Sequence, residues 1–456
     1  MKNFDAIIIG SGQAGNPLAH NLADSGWTVA LIEKEFMGGS CINYGCTPTK
    51  TMVASSQAAF NAGNAFQLGI EVTDVKVNLK KIVERKNRIV QQWRGGLEKQ
   101  AAKRSNITVF KGSARFTDSH VINVKGEVLK SKNIFINTGT RPLILPIEGI
   151  NEVPYLTNRN IMDLEEVPEH LLVIGGSYVG LEFGQMFKRF GSKVTIIKHK
   201  DQILSKEDKD VSESLQEALE DEGIQFIKSA HAASIRKDKN GGLHLTVKLN
   251  NNNKEEVIKG SHILLAVGRK PNTDGLGLDA AGIETNKGYI TVDEYLRTNI
   301  PGVYALGDVK GGAAFTHISY NDFQIVYHNL FNDEKKSIKD RIVPYTLFTD
   351  PELGRVGLTE KEARKAGYNV MVGKIPMSHV ARAIEMGTTK GLMKIVVDAD
   401  TDQILGAAVL GINGGEVVQT IMVLMYAKVS WKLLKGAVYI HPTLTEGFFG
   451  LLESVK

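Results

Sequence analysis

The chain runs to 456 residues, with 55 Lys and Arg against 50 Asp and Glu, a net charge of +5 and a hydrophobic fraction of 42%. That length is too great for one ordinary domain and predicts about three, since domains run at roughly 100–200 residues, while so mild a charge argues against a nucleic-acid partner. No run of 18 apolar residues appears, and the N-terminus leads from Lys2-Asn3 straight into the apolar residues 4–9, so neither a membrane span nor a signal peptide is expected and the expected location is cytoplasmic.

In chain order, the first recognisable unit is Ala6-Ile7-Ile8-Ile9-Gly10-Ser11-Gly12-Gln13-Ala14-Gly15, followed by an amphipathic stretch to Ser25 and an apolar strand over 28–32 that ends at Glu33. This pattern predicts strand, glycine turn, helix and strand. Gly10, Gly12 and Gly15 permit a tight turn and close backbone approach, so a pyrophosphate can sit at the helix N-terminus, and Glu33 stands where a carboxylate accepts hydrogen bonds from ribose hydroxyls.

Next comes Gly38-Gly39-Ser40-Cys41-Ile42-Asn43-Tyr44-Gly45-Cys46-Thr47-Pro48-Thr49-Lys50, which holds the only two cysteines of the chain. Two thiols this close can alternate between dithiol and disulfide, although free cysteine also serves as a small core hydrophobe. With no secretory signal, a cytosolic thiol pair is expected rather than a structural disulfide. The basic stretch 76–104 predicts one or two helices broken near Gly95-Gly96, with Ile82, Ile89, Val90, Trp93 and Leu97 at helical spacing and the charges on a solvated face.

A second copy of the first unit follows about 165 residues later: Leu171-Leu172-Val173-Ile174-Gly175-Gly176-Ser177-Tyr178-Val179-Gly180, a helix through Phe190 and a strand over 193–197. Ser177 replaces the middle glycine, and Lys198-His199-Lys200 replaces the terminal acid. A carboxylate there suits a free 2′-hydroxyl and cations suit a 2′-phosphate, which predicts NADPH over NADH; a solvated basic loop is the blander reading. Two dinucleotide sites and a dithiol imply that electrons enter from a nicotinamide, cross a second redox cofactor and leave through the thiols.

These residues resemble the class I flavoprotein disulfide reductases, the group that holds glutathione reductase, dihydrolipoamide dehydrogenase and mercuric reductase. The likeness rests on residues 38–50, Thr138-Gly139-Thr140-Arg141-Pro142, the unit 175–184, Val267-Gly268-Arg269-Lys270-Pro271-Asn272, Tyr304-Ala305-Leu306-Gly307-Asp308 and His441-Pro442-Thr443-Leu444-Thr445-Glu446. It implies an α/β fold with two Rossmann-like dinucleotide-binding domains and a C-terminal α+β dimerisation domain: residues 1–148 and 271–342 for FAD, 149–270 for NADPH, and 343–456 for the dimer interface.

The resemblance assigns FAD to Gly10, Gly12, Gly15, Glu33, Gly39, Ser40, Thr138, Gly139, Gly307 and Asp308, with Asp308 on the ribityl chain. It places Lys50 near the flavin and paired with Glu182, and NADPH at Gly175, Tyr178, Gly180, Lys198, His199, Lys200 and Arg269. Tyr178 would cover the nicotinamide pocket, and Arg269 would add to the 2′-phosphate site. Cys46 is implied as the flavin-side thiol and Cys41 as the thiol that attacks substrate. That attack needs a thiolate, whereas a free thiol has a pKa of ~8.5, so His441, oriented by Glu446, is the candidate base. In this family the histidine reaches the thiols of the other subunit, which implies a homodimer. Thr443 and Glu446 also read as a helix capping box ahead of 448–452.

Mercury is disfavoured as acceptor by the lack of a third cysteine, and glutathione by Asn16-Pro17-Leu18-Ala19-His20-Asn21-Leu22 where glutathione reductases carry an arginine. Phe315-Thr316-His317-Ile318-Ser319-Tyr320-Asn321-Asp322-Phe323, with Val380-Ala381-Arg382-Ala383, resembles the reactive-chlorine-resistance branch of flavin reductases. A small disulfide or a soft metal ion such as copper(II) is the expected substrate, with dihydrolipoamide dehydrogenase-like or mercuric reductase-like activity as alternatives, and a flavin-bearing redox sensor as the rival from another class. His317 and Asp322 also fit plain packing roles, and no resident metal site is expected.

Overall fold

The computed structural model describes residues 1–339 and 341–456. Both glycine-turn units fold as their patterns require. In the first, strand Ala6–Ile9 leads through the turn into helix Gly15–Asp24 and on to strand Val29–Glu33. Ala6–Ile9 is the middle strand of a five-stranded parallel sheet, in the order Val303–Ala305, Asn133–Ile136, Ala6–Ile9, Val29–Glu33, Ile107–Lys111. Its four residues are buried, which is why the strand is apolar throughout and does not alternate: helices and loops cover both faces of a parallel sheet.

The second unit repeats the plan. His170–Ile174, helix Tyr178–Phe190 and Lys193–Ile197 build a four-stranded parallel sheet in the order Gln225–Ile227, Lys193–Ile197, His170–Ile174, His262–Leu265. The sharp bend after the first strand is the same in both. Gly10 has φ +100° and Gly175 φ +119°, and an added Cβ would lie 2.4 Å from the Asn137 carbonyl oxygen or 2.3 Å from that of Ala266, so only glycine fits either corner. The two units meet through a short antiparallel ribbon, Thr140–Pro142 against Arg269–Pro271, which brings two segments about 130 residues apart side by side.

The C-terminal part is an antiparallel sheet in the order Tyr345–Leu347, Glu352–Gly357, Ile404–Gly411, Leu392–Asp398, Val370–Pro376. Helices Gly414–Tyr426, Trp431–Lys435 and Phe448–Glu453 pack with it around Met393, Ile395, Val409, Ile421 and Phe448.

Two expectations need correction. The basic stretch forms one uninterrupted helix, Leu79–Ala102, which passes through Gly95 and Gly96. Each glycine costs about 1 kcal/mol there, and burial of Leu79, Val83, Val90 and Ala101 carries the helix past them. Nor are all its charges solvated: Lys86 is buried with Nζ 2.6 Å from Asp163, and Arg94 donates to Asn43 at 2.9 Å while lying over the Phe36 ring. At the C-terminus the capping box is only half made. Thr443 Oγ1 accepts from the Glu446 amide at 3.3 Å, but the Glu446 carboxylate turns to His441 instead of back to the Thr443 backbone.

The thiol-bearing helix Cys46–Gly63 packs on helix Tyr178–Phe190, and a buried guanidinium locks their far ends. Arg189 donates to Glu222 at 2.7 and 2.8 Å, to Asp350 at 2.8 Å and to Gln57 at 2.6 Å, and stacks over Phe60 at 3.8 Å. Its side chain is 4% exposed and that of Glu222 10%. Removing one member strands the other charge in the interior. Arg189→Met is therefore expected to lower stability by about 3 kcal/mol, read as a shifted denaturant midpoint of the holoenzyme; an unchanged midpoint contradicts this role.

Candidate active site

One cavity of about 1230 Å³ runs between the three parts of the fold, larger than the roughly 300–1,000 Å³ usual for a small-molecule pocket. Its wall includes Gly10, Gly12, Glu33, Gly39, Ser40, both cysteines, Lys50, Thr138, Gly139, Tyr178, Glu182, Arg269 and Asp308. The corner at Gly10 and Gly12 is held by Asn137, whose Oδ1 accepts from the Gly15 amide at 2.9 Å and whose Nδ2 donates to the Leu306 carbonyl at 3.0 Å. Glu33 is buried at the strand end, accepting from the Ser11 amide and hydroxyl at 3.0 and 2.7 Å and from the Glu35 amide at 2.8 Å. Asp308 accepts from Thr140 at 2.9 Å. Asp322 is fully buried, takes the Gly307 amide at 2.8 Å and is neutralised by Arg341 at 2.6 Å and Lys310 at 3.3 Å, so it fixes the loop that presents Asp308.

Neither helix is capped by its own N-cap residue, Ala14 before Gly15–Asp24 or Ser177 before Tyr178–Phe190, although Asn137 takes the Gly15 amide of the first. A helix N-terminus that opens on glycines too tight for a Cβ lets a pyrophosphate approach the backbone and the positive end of the helix, so the residues present fit a dinucleotide at each unit.

The thiols stand where two helices begin. Cys41 lies in the short helix Gly39–Tyr44, half-buried, and Cys46 opens helix Cys46–Gly63 and faces the cavity. Cys46 Sγ is 3.0 Å from the Thr316 hydroxyl, at the start of helix Thr316–Phe331. A hydrogen bond from Cys41, then one from Thr316 and the charge of Lys50, outweigh burial and bring the Cys46 thiol down to about 6. The same shared hydrogen bond, together with burial, pushes the Cys41 thiol up. The shared hydrogen bond thus favours the thiolate on Cys46 and the proton on Cys41.

Lys50 Nζ lies 2.9 and 2.7 Å from the two Glu182 oxygens and 4.6 Å from the Phe348 ring centre, and Glu182 also accepts from the Phe348 amide at 2.9 Å. The pair joins the thiol helix to the helix of the second unit. Tyr178, one turn before Glu182, lies on the cavity wall, edge-on to Phe315 and Tyr345; burial, and then the Glu207 charge, push its hydroxyl up.

Other candidate residues are placed differently from one another. Gly175 and Gly180 form the second corner, where a Cβ on Gly180 would meet the Gly175 carbonyl oxygen. Of the three residues at the strand end, His199 and Lys200 are exposed, but Lys198 is buried, its ammonium donates to the Asp201 carbonyl, and burial brings it down to about 8. Arg269 does not point to that cluster: it donates to the Thr140 hydroxyl at 2.6 Å and carbonyl at 2.9 Å and faces Asp308 at 3.9 Å, because the ribbon Thr140–Pro142 fixes its position. His441 Nδ1 lies 2.8 and 3.0 Å from the Glu446 oxygens; its side chain is 68% exposed and stands outside this cavity. Asn137, Thr316 and Tyr345 stand at the site without having been assigned a place in it from sequence. Asn137 directly precedes the quoted Thr138-Gly139 motif, and Thr316 sits inside another; nothing in the local pattern marks Tyr345.

Residues 4–322 match the pyridine nucleotide-disulphide oxidoreductase family, and residues 343–450 match its dimerisation domain. The chain belongs to this family. It is 36% identical to the probable pyridine nucleotide-disulfide oxidoreductase RclA of Escherichia coli K12, over 100% of both chains, and 36% identical to the dihydrolipoyl dehydrogenase of Thermus scotoductus, over 100% of this chain and 98% of that one. A mercuric reductase of Staphylococcus aureus is 34% identical over 91% of this chain and 76% of its own. The solved Cu(II) complex of the HOCl-induced flavoprotein disulfide reductase RclA superposes with a TM-score of 0.90 at 35% identity, covering both chains completely.

The protein is thus an NAD(P)H-dependent flavoprotein disulfide reductase, with FAD and NADPH as cofactors, of mixed α/β fold. The dimerisation domain supports a homodimer, and Val423, Tyr426, Leu433, Val438 and Ile440 expose apolar surface there. Among the described residues, no helix is long and apolar enough to cross a membrane, and no group of three or more His, Cys, Asp or Glu is placed to hold a metal ion. Because Cys46 is the acidic thiol, its thiolate forms as pH rises through about 6. The long-wavelength absorbance that a thiolate lends to adjacent flavin is expected to grow in the two-electron-reduced holoenzyme with a midpoint near that pH; a midpoint near 9 contradicts the assignment.

Proposed function

We propose that the chain passes electrons from NADPH through FAD to a Cys41–Cys46 disulfide, and from the resulting dithiol to a small disulfide or a soft metal ion such as copper(II). The observation that carries this reading is the single cavity wall holding the Gly10 corner, both thiols, the Lys50–Glu182 pair and Tyr178. In it, residues 1–148 and 271–342 serve FAD, 149–270 serve NADPH and 343–456 form the interface. When bound, FAD supplies the two-electron step between the nicotinamide and the disulfide.

The protein's own residues do the rest. Gly10, Gly12, Gly15, Glu33, Gly39, Ser40, Thr138, Gly139, Gly307 and Asp308 hold FAD, and Gly175, Gly180, His199 and Lys200 hold the coenzyme, with Lys198 supporting the loop from within. Lys50, fixed by Glu182, keeps a positive charge beside the thiols, where it favours the Cys46 thiolate and helps retain the opened pair. Cys41 is held as a protonated thiol, so it needs a base to attack; His441 of the second subunit, oriented by Glu446, takes that proton. A disulfide acceptor is then reduced by exchange, giving two thiols and restoring Cys41–Cys46. With copper(II), two ions each gain one electron, the pair returns to the disulfide and two protons leave. Soft copper(I) suits thiolate sulfur, and a Cu(II) complex is known for the relative RclA.

Cys41→Ser is expected to abolish NADPH-dependent reduction of both disulfide and copper(II) acceptors, and His441→Gln to lower it by about 10²-fold or more, in steady-state assays with an acceptor panel. Turnover unaffected by Cys41→Ser contradicts a thiol route. His199→Glu combined with Lys200→Glu is expected to cut kcat/KM for NADPH by about tenfold or more while sparing NADH; an unchanged ratio of the two coenzymes contradicts the 2′-phosphate role.

A further inference from the structure

The nicotinamide end of the cavity is closed by more than Tyr178. Tyr345 and Phe315 are stacked at 5.4 Å and 13°, and Phe315 and His317 at 5.4 Å and 10°. The Tyr178 ring stands edge-on to two members of this stack, at 6.1 Å and 87° to Phe315 and at 5.5 Å and 89° to Tyr345. All four rings line the cavity.

Both ends of the stack are pinned. His317 Nε2 is 2.7 Å from the Pro344 carbonyl oxygen. The Tyr345 hydroxyl donates to Glu207 Oε1, and Glu207 is buried, with Arg355 Nε 3.7 Å from its other oxygen. Arg355 is the cross-strand partner of Tyr345 in the C-terminal sheet, so the carboxylate and the ring are held from the same two strands. Glu207 lies between the strand Lys193–Ile197 and the helix Lys209–Asp221 of the second unit. The tether thus spans from the coenzyme-binding unit to the C-terminal sheet, across the mouth that Tyr178 occupies.

We propose that Tyr345, tethered by Glu207, is the latch that holds the Tyr178 ring across the nicotinamide pocket and so sets the affinity for NADPH. The latch presupposes that Tyr178 covers that pocket, as the family resemblance implies. Tyr345 acts through Tyr178 and is a positioning residue. A ligand that enters only the open form binds with an apparent Kd equal to its intrinsic Kd divided by the fraction of open molecules. Edge-on aromatic contacts favour the closed form by a several-fold factor; removing one raises the open fraction and tightens apparent binding, the reverse of what losing a ligand contact does.

The test is the binding of NADP⁺ to the oxidised holoenzyme, by flavin difference absorbance, in the parent, Y178A, Y345A, Y345F and the Y178A Y345A double variant. Y178A and Y345A are each expected to tighten binding by about threefold to tenfold, with Y345F between parent and Y345A because it keeps the ring and loses the tether. The double variant should bind no tighter than Y178A alone, since the latch acts only through that ring. Tighter binding in Y178A with unchanged or weaker binding in both Y345A and Y345F overturns the latch. Unchanged or weaker binding in Y178A instead overturns the covering role on which it rests. If Y345A does not retain flavin, Y345F and E207Q carry the same comparison, and parent-like affinity in both overturns the latch.

Discussion

The ion pair between Lys50 and Glu182 is the join on which the cavity depends. Lys50 sits one turn after Cys46 on the thiol helix, and Glu182 one turn after Tyr178 on the helix of the second unit. Their contact ties the helix that carries Cys46 to the helix that carries Tyr178, both of which line one space. The Glu182 side chain is 8% exposed, so its charge is tolerable only because Lys50 and the Phe348 amide satisfy both oxygens. Two turns further along the same helices, Gln57 and Arg189 meet with Glu222 and Asp350. The two helices are thus tied at both ends, once beside the chemistry and once far from it. A Phe348 or Asp350 contact at each tie anchors the C-terminal sheet to the same pair of helices.

From this frame follows the inequality of the two thiols. Cys46 begins a helix, faces the Lys50 charge and accepts from Thr316, while Cys41 is left as the donor. In the proposed route, where Cys41 meets the acceptor, the proton held on it is what calls for a separate base. His441 and Glu446 form that base–carboxylate pair on an exposed surface of one chain, beside apolar residues of the dimerisation domain. On the proposed reading, the site is assembled from two subunits, which gives the dimer a use beyond stability: the thiols would meet their base only once the copies associate.

Much of this was legible in the sequence, and for identifiable reasons. The two glycine corners are backbone constraints, and a corner that rejects a Cβ leaves the same signature wherever it occurs. The Cys41–Cys46 segment was readable because its residues stand close in sequence, whereas the pairing of Lys50 with Glu182, 132 residues apart, was implied only by the family resemblance. What escaped depends on long-range geometry. Arg269 was expected at the 2′-phosphate, but its strand pairs with Thr140–Pro142, and that ribbon carries it to Asp308. Lys198 was expected at the 2′-phosphate, but it is buried, its side chain lies against Gly176 and its ammonium donates to the Asp201 carbonyl. Gly95 and Gly96 read as a helix break because propensity is local, whereas the burial that carries the helix through them is not. Tyr345 gave no signal at all, since its partners Glu207, Phe315 and Tyr178 come from three separate stretches.

The most direct test of the electron path is an anaerobic titration of the purified holoenzyme with NADPH, with thiols counted by alkylation and mass mapping after each addition. One equivalent of NADPH per oxidised subunit is expected to produce two new thiols, both mapping to Cys41 and Cys46, before free reduced flavin accumulates. Reduction of the flavin with Cys41 and Cys46 still joined would contradict the proposed route through the thiol pair.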